Sequence, residues 1–142
     1  MFIPFAIVVY LILIFIYGVE SSVDIIGNSK NDRESFKHVD YPDTEWIYNP
    51  KQFEAFEKII ARLKDEKIRF ILVYAPIASS LYKSYTNQKA FDKKMSGFGD
   101  YYNFNVIIQL DDSLHFYDAD HLNRKGVEVL NENLLLFIPT TQ

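Results

Sequence analysis

Between Phe116 and Asn123 the chain reads Phe-Tyr-Asp-Ala-Asp-His-Leu-Asn, a stretch dense in ionisable side chains. Asp118 stands three positions before His121, a spacing that a single turn folds into carboxylate–imidazole contact. A carboxylate on one ring nitrogen fixes the imidazole tautomer and stabilises the imidazolium, which leaves the other nitrogen to act as a general base. Two members of a hydrolase triad therefore fit within four residues. Asn123 is placed to cap a following helix and so to fix the exit of the loop. Plainer readings stand beside this one. The segment also suits an ordinary polar loop with a capping Asn, and His115, Asp118, Asp120 and His121 could chelate, although their spacing matches no named metal motif. The expectation is that neither a metal nor another cofactor is used.

The elements that must position this loop alternate. Asn49-Pro50 predicts a helix start, with Asn49 as cap and Pro50 at the first helical position. Phe53, Phe56, Ile59, Ile60 and Leu63 follow at the spacing of one buried helical face, and Lys64-Asp65-Glu66-Lys67 closes the helix. Ile68 to Tyr74 is a β-branched and aromatic run, as expected for a strand covered on both faces, and Ala75-Pro76 stops it. A second helix is predicted over Asn87 to Met95, broken by Gly97 and Gly99. A second strand is predicted over Asn105 to Leu110, then the ionisable loop Asp111 to Asn123, then a helix from Arg124 to Phe137 carrying Val127, Val129, Leu130, Leu134 and Leu135. Alternation of this kind indicates α/β layering around a mostly parallel sheet.

The 142 residues suit one ordinary domain, and 15 Lys+Arg against 19 Asp+Glu give a net charge of -4 with no basic run, so no electrostatic footprint for nucleic acid. The absence of cysteine removes disulfide frameworks, thiolate zinc sites, iron–sulfur clusters and a Cys nucleophile. Hydrophobicity is concentrated at the start: Met1 to Val19 is apolar except at Pro4 and Gly18 and carries no charge. As a helix, residues 2–19 would span roughly 27 Å, near the minimum for crossing a bilayer. Residues 1–19 are accordingly expected as a transmembrane anchor contacting lipid through 2–19. A signal peptide fits less well, because a basic leading region is missing and the run exceeds the usual length of about 7–15 residues. A buried core helix or strand pair is the remaining reading. Lys30, Arg33 and Lys37 follow the segment, a positive-inside signal that points the globular part to the cytoplasm but is weak, being diluted by Glu20, Asp24, Asp32 and Glu34. Residues 20–49 read as a linker and irregular region, with a short strand over Val23 to Ile26, and residues 50–142 as the α/β domain.

Asp118-Ala119-Asp120-His121-Leu122-Asn123, with Gly126 following, resembles the last block of SGNH/GDSL-type hydrolases, especially membrane-anchored bacterial members ending in D-x-x-H-L-N-x-x-G. Phe56-Glu57-Lys58-Ile59-Ile60 and Ile71-Leu72-Val73-Tyr74-Ala75-Pro76 are similar to the helix and strand ahead of that subfamily's variable insert. The resemblance covers about Pro50 to Phe137. It implies a three-layer α/β/α, flavodoxin-like parallel sheet, here truncated to its C-terminal half, behind an N-terminal hydrophobic helix, and a place in the cell envelope with the domain outside the cytoplasm. It also implies Asp118 as triad acid, His121 as base and Ser29, in Val23-Asp24-Ile25-Ile26-Gly27-Asn28-Ser29, as nucleophile with its backbone N–H as oxyanion donor. Gly-Asn-Ser is equally ordinary turn chemistry. Two departures stand out: 91 residues lie between Ser29 and His121, short for the family, and no G-x-N-D block intervenes to supply an Asn donor. Two functions follow as expectations. One is a membrane-tethered serine esterase or O-acyl-transfer domain acting on an ester such as an O-acylated carbohydrate. The other is a truncated, inactive relative serving as a structural or interaction module that self-associates through exposed sheet edges. Tyr82, Tyr85, Tyr101 and Tyr102 either line a substrate cleft or pack beneath a loop.

Overall fold

The computed structural model describes residues 10–13, 36–37 and 39–138; Ser29 and the expected strand Val23 to Ile26 lie outside them. Helix α1 spans Pro50–Asp65, opened as expected by Asn49, whose side chain accepts from the N–H groups of Lys51 and Gln52. It ends where Lys67 turns back in the left-handed region at φ 56°, with the Ile68 N–H bonded to the Leu63 carbonyl. Ile60 and Leu63 are buried as the periodicity requires, but Ile59 is half exposed. Strand β2 follows at Phe70–Tyr74, two residues shorter at its start than predicted. A short helix, α2, at Ser79–Ser84 was not expected, and α3 occupies Gln88–Ser96.

The second predicted strand falls elsewhere. Strand β3 is Tyr101–Asn103, paired in parallel with β2 from Leu72↔Tyr101 to Tyr74↔Asn103. Residues assigned to a strand from Asn105 instead form helix α4, Phe104–Ile107, because the Asn103 side chain accepts from the Asn105 N–H and turns the backbone into a helix. Helix α5, Asp112–His115, lies within the segment expected as a loop, and α6, Arg124–Leu134, ends three residues before its predicted end. On α6, Leu130 and Leu134 are buried, whereas Val127 and the C-capping Leu135 face outward.

Strand β1, Tyr10–Leu13, pairs in parallel with β2 over Tyr10↔Phe70 to Leu13↔Val73, giving the sheet order β1-β2-β3. These four residues fall in the apolar run expected as one membrane helix, and they are extended, not helical. A continuous β-branched and aromatic run is equally suited to a strand inside a parallel sheet, and the free edge of β2 supplies the hydrogen-bonding partners that decide between the two. The other residues of 2–19 lie outside the described set, and no helix among the described residues is long and apolar enough to cross a membrane.

Residues of β2 feed two separate cores. Ile71 and Val73 join Phe104, Ile108, Leu130 and Leu134 from α4 and α6, while Tyr74 joins Trp46, Leu81, Tyr85, Phe91 and Met95. The second cluster is aromatic: Trp46 stacks on Tyr85 at 4.1 Å between ring centroids, and Phe53 and Phe56 of α1 pack against it. The irregular segment ahead of α1 is fastened there. The Trp46 N–H donates to Asn87 Oδ1 at 2.8 Å, and Thr44 bridges Tyr85. The chain is thus a mixed α/β domain with helices packed on either side of a small parallel sheet.

Candidate functional site

The loop between α5 and α6 is closed at its base by a bridge between Phe116 and Leu122. Phe116 is 1% exposed and is the hydrophobic peg that seats the loop, its burial contributing roughly 2–3 kcal/mol. Above the bridge the Tyr117 N–H donates to the His121 carbonyl, and the Ala78 N–H, from the turn after β2, donates to the Ala119 carbonyl at 2.8 Å. The loop thereby leans on the C-terminal end of the sheet, where parallel α/β proteins gather functional groups.

Asp118 organises the lobe. Its Oδ1 accepts from the Asp120 N–H at 3.1 Å and the His121 N–H at 2.8 Å, and the same carboxylate meets His121 Nδ1 at 2.8 and 3.0 Å. An ionised carboxylate only accepts, so Nδ1 carries the proton and the lone pair resides on Nε2. Asp120 Oδ1 lies 3.1 Å from the same Nδ1. The electrostatics follow. For His121, burial works against the charged ring, but the Asp118 hydrogen bond and the charges of both carboxylates raise its pKa above the ordinary imidazole value. Burial also opposes ionisation of Asp118, yet hydrogen bonds from His121 and Asp120 hold its carboxyl below the usual range. Asp120 is pushed up, by burial first and then by the Asp118 carboxylate. The His121 side chain is 60% exposed.

The exit is fixed by Asn123, whose Oδ1 accepts from the Gly126 N–H while its Nδ2 donates to the Leu114 carbonyl at 2.8 Å. Gly126 is required by proximity: a Cβ there would collide with the backbone carbonyl oxygen of His115 and with Leu122 Cδ2. The D-x-x-H-L-N-x-x-G spacing thus has a steric account on this chain.

Of the sequence-predicted residues, Asp118 and His121 are brought together as expected, and Ser29 lies outside the described residues. His115 stands apart: its Nδ1 accepts from the Asp111 N–H at 2.9 Å. Asp118, Asp120 and His121 offer ligand atoms within 4.8 Å of one another, with the Asp118 and Asp120 carboxylates facing His121 Nδ1. The tyrosines divide. Tyr85 is buried under Trp46, Tyr102 packs on Phe137, and Tyr82 and Tyr101 enter a polar network in which Asp92 accepts from the Tyr101 hydroxyl at 2.7 Å and from Asn103 at 3.0 Å.

Sequence reasoning missed the residues that hold the turn after β2. Asn105 Oδ1 accepts from the Ile77 N–H at 2.8 Å, and the Asp112 carboxylate accepts from the N–H and hydroxyl of Ser79, each at 2.8 Å. Separations of 28 and 33 residues leave no periodic signal of such contacts. No family model matches the chain, and neither the curated proteins nor the solved structures yield a match.

Proposed function

We propose that this chain is an SGNH/GDSL-like ester hydrolase or O-acyl-transfer domain in which His121 is the general base and Asp118 orients it. The observation that carries the reading is that one carboxylate holds both the backbone N–H and Nδ1 of His121, setting the tautomer of the ring and its direction before a substrate arrives. In the proposed reaction the Ser29 hydroxyl attacks an ester carbonyl and passes its proton to Nε2 of His121, forming an acyl-enzyme. His121 returns the proton to the departing alkoxide, and water or an acceptor alcohol then releases the acyl group by the same route. An O-acyl group on a carbohydrate is the proposed substrate class. The apolar residues 2–19 keep the domain at a bilayer in the cell envelope, on the side outside the cytoplasm. Tyr10–Leu13 would then leave β2 on entering lipid, so flotation of the full chain with liposomes decides between bilayer and sheet.

The test is turnover of an aryl acetate by the full chain and by His121→Ala. A loss of about 10³-fold or more is expected, together with fluorophosphonate labelling of the wild type that Ser29→Ala abolishes. Equal turnover in His121→Ala removes the proposal. The inactive-module reading is favoured by one observation: β3 is three residues long and, among the described residues, its outer edge has no partner strand. An open edge invites pairing with a second chain. That reading expects self-association in mild detergent and no labelling at Ser29.

A further inference from the structure

Asp120 has no part in a triad of Ser29, His121 and Asp118, yet its carboxylate approaches the same imidazole nitrogen. The distance from Asp120 Oδ1 to Nδ1 is 3.1 Å, against 2.8 Å for Asp118 Oδ1. The approach is built into the loop. The Asp120 N–H is bonded to Asp118 Oδ1, which curls the backbone so that both carboxyl groups come to one side of the ring. The Ala119 carbonyl between them is tied to the Ala78 N–H, so the curl is anchored to the sheet. Asp120 is also the less exposed of the two acids, at 32% against 45% for Asp118. Facing the pair from the segment ahead of α1 is Tyr41, whose phenol is shifted upward by burial and then by the charges of Asp120 and Asp118.

Resting on the base role proposed above for His121, we propose that Asp120 is a second positioning carboxylate, which shares the Nδ1 proton with Asp118 and holds the imidazolium at the same nitrogen. When Nε2 takes a proton during the reaction, positive charge appears on a ring whose Nδ1 faces two carboxylates instead of one. That charge is stabilised where it develops, in a site arranged in advance. Protonation of Asp120 at acid pH turns it from an acceptor facing Nδ1 into a donor to Asp118, and the ring then keeps a single, weakened partner. Asp120 is therefore a positioning residue that acts through His121, and it sets how basic that ring is.

The test is an NMR titration of the His121 ring in the full chain for the wild type, Asp120→Asn, Asp118→Asn and the double Asn variant, with circular dichroism to confirm folding. In Asp120→Asn the His121 midpoint is expected to move to lower pH, and kcat on an aryl acetate to fall about three- to tenfold with KM within about twofold. Asp118→Asn is expected to keep a midpoint above that of the double variant, because Asp120 still faces the ring. Asp120→Glu, which retains the charge, is expected to restore much of the wild-type midpoint and serves if the Asn variant does not fold. A His121 midpoint unchanged in Asp120→Asn, or equal in Asp118→Asn and the double variant, overturns the proposal. The NMR arm needs no turnover. A chain without esterase activity but with these midpoint shifts would refute the hydrolase reading and leave the Asp120–His121 coupling standing.

Discussion

Two Asp–His turns stand next to one another in this chain, and they use the same side chains in opposite ways. Around Asp111 the carboxylate caps α5, accepting from the N–H groups of Ser113 and Leu114 and from the Ser113 hydroxyl, while the His115 ring takes the Asp111 N–H on Nδ1. Around Asp118 the carboxylate accepts from two backbone N–H groups and also grips the ring of His121. In the first turn Nδ1 is the acceptor, so a neutral His115 carries its proton on Nε2. In the second Nδ1 is the donor, so Nε2 has the lone pair. Four-residue spacing and a helix cap leave the imidazole on a backbone N–H; three-residue spacing and a tight lobe put it on a carboxylate, as the proposed base requires. Residue types alone do not separate the two cases. What Nδ1 faces does, a backbone N–H in the first turn and a carboxylate in the second.

The largest way to break this contrast is by truncation of each ring. His121→Ala is expected to lower aryl acetate turnover about 10³-fold or more, and His115→Ala to leave it within about threefold; similar losses in both would erase the distinction. Next in size is Asp118→Asn, expected to lower turnover about 10²- to 10⁴-fold by releasing the tautomer. Its acid limb should move to lower pH, because the carboxylate that raises the His121 pKa has gone. Gly126→Ala tests the steric joint between the turns, where α6 presses on the His115 carbonyl. It should cost about 1–3 kcal/mol and several degrees in Tm. The smallest effects are in pH dependence. With its folded pKa raised, His121 contributes ionic stability that is complete below its unfolded value and lost as pH rises through the folded one. With its carboxyl held low by Ser113, Asp111 contributes stability above its unfolded value and loses it as pH falls through the folded one. The stability deficits of His121→Ala and Asp111→Ala should therefore shrink in opposite pH directions, as read by thermal melts across pH.

Legibility in the sequence follows the range of the forces involved. The helix caps at Asn49 and Asn123, the amphipathic faces of α1 and α3, and the Asp118–His121 contact are local, and each could be read from neighbours a few residues apart. The position of β3 could not. Asn105 to Ile108 has strand-like composition, and a cap from Asn103 together with burial of Phe104 made it helical. Ile59 and Val127 fit the periodicity of buried faces but look outward, since a helix on a three-stranded sheet has little surface to cover its flanks. The clamps from Asn105 and Asp112 onto the turn after β2 are long-range hydrogen bonds between common polar residues, which no local pattern marks.

Strand β1 carries a consequence in time. Its register partner in β2 lies 60 residues later, Phe70 opposite Tyr10, and parallel pairing across such a separation is slow to form. On an elongating chain the greasy stretch therefore emerges from the ribosome well before the strand that would receive it. For that interval its fate is decided kinetically, by whichever acceptor reaches it first.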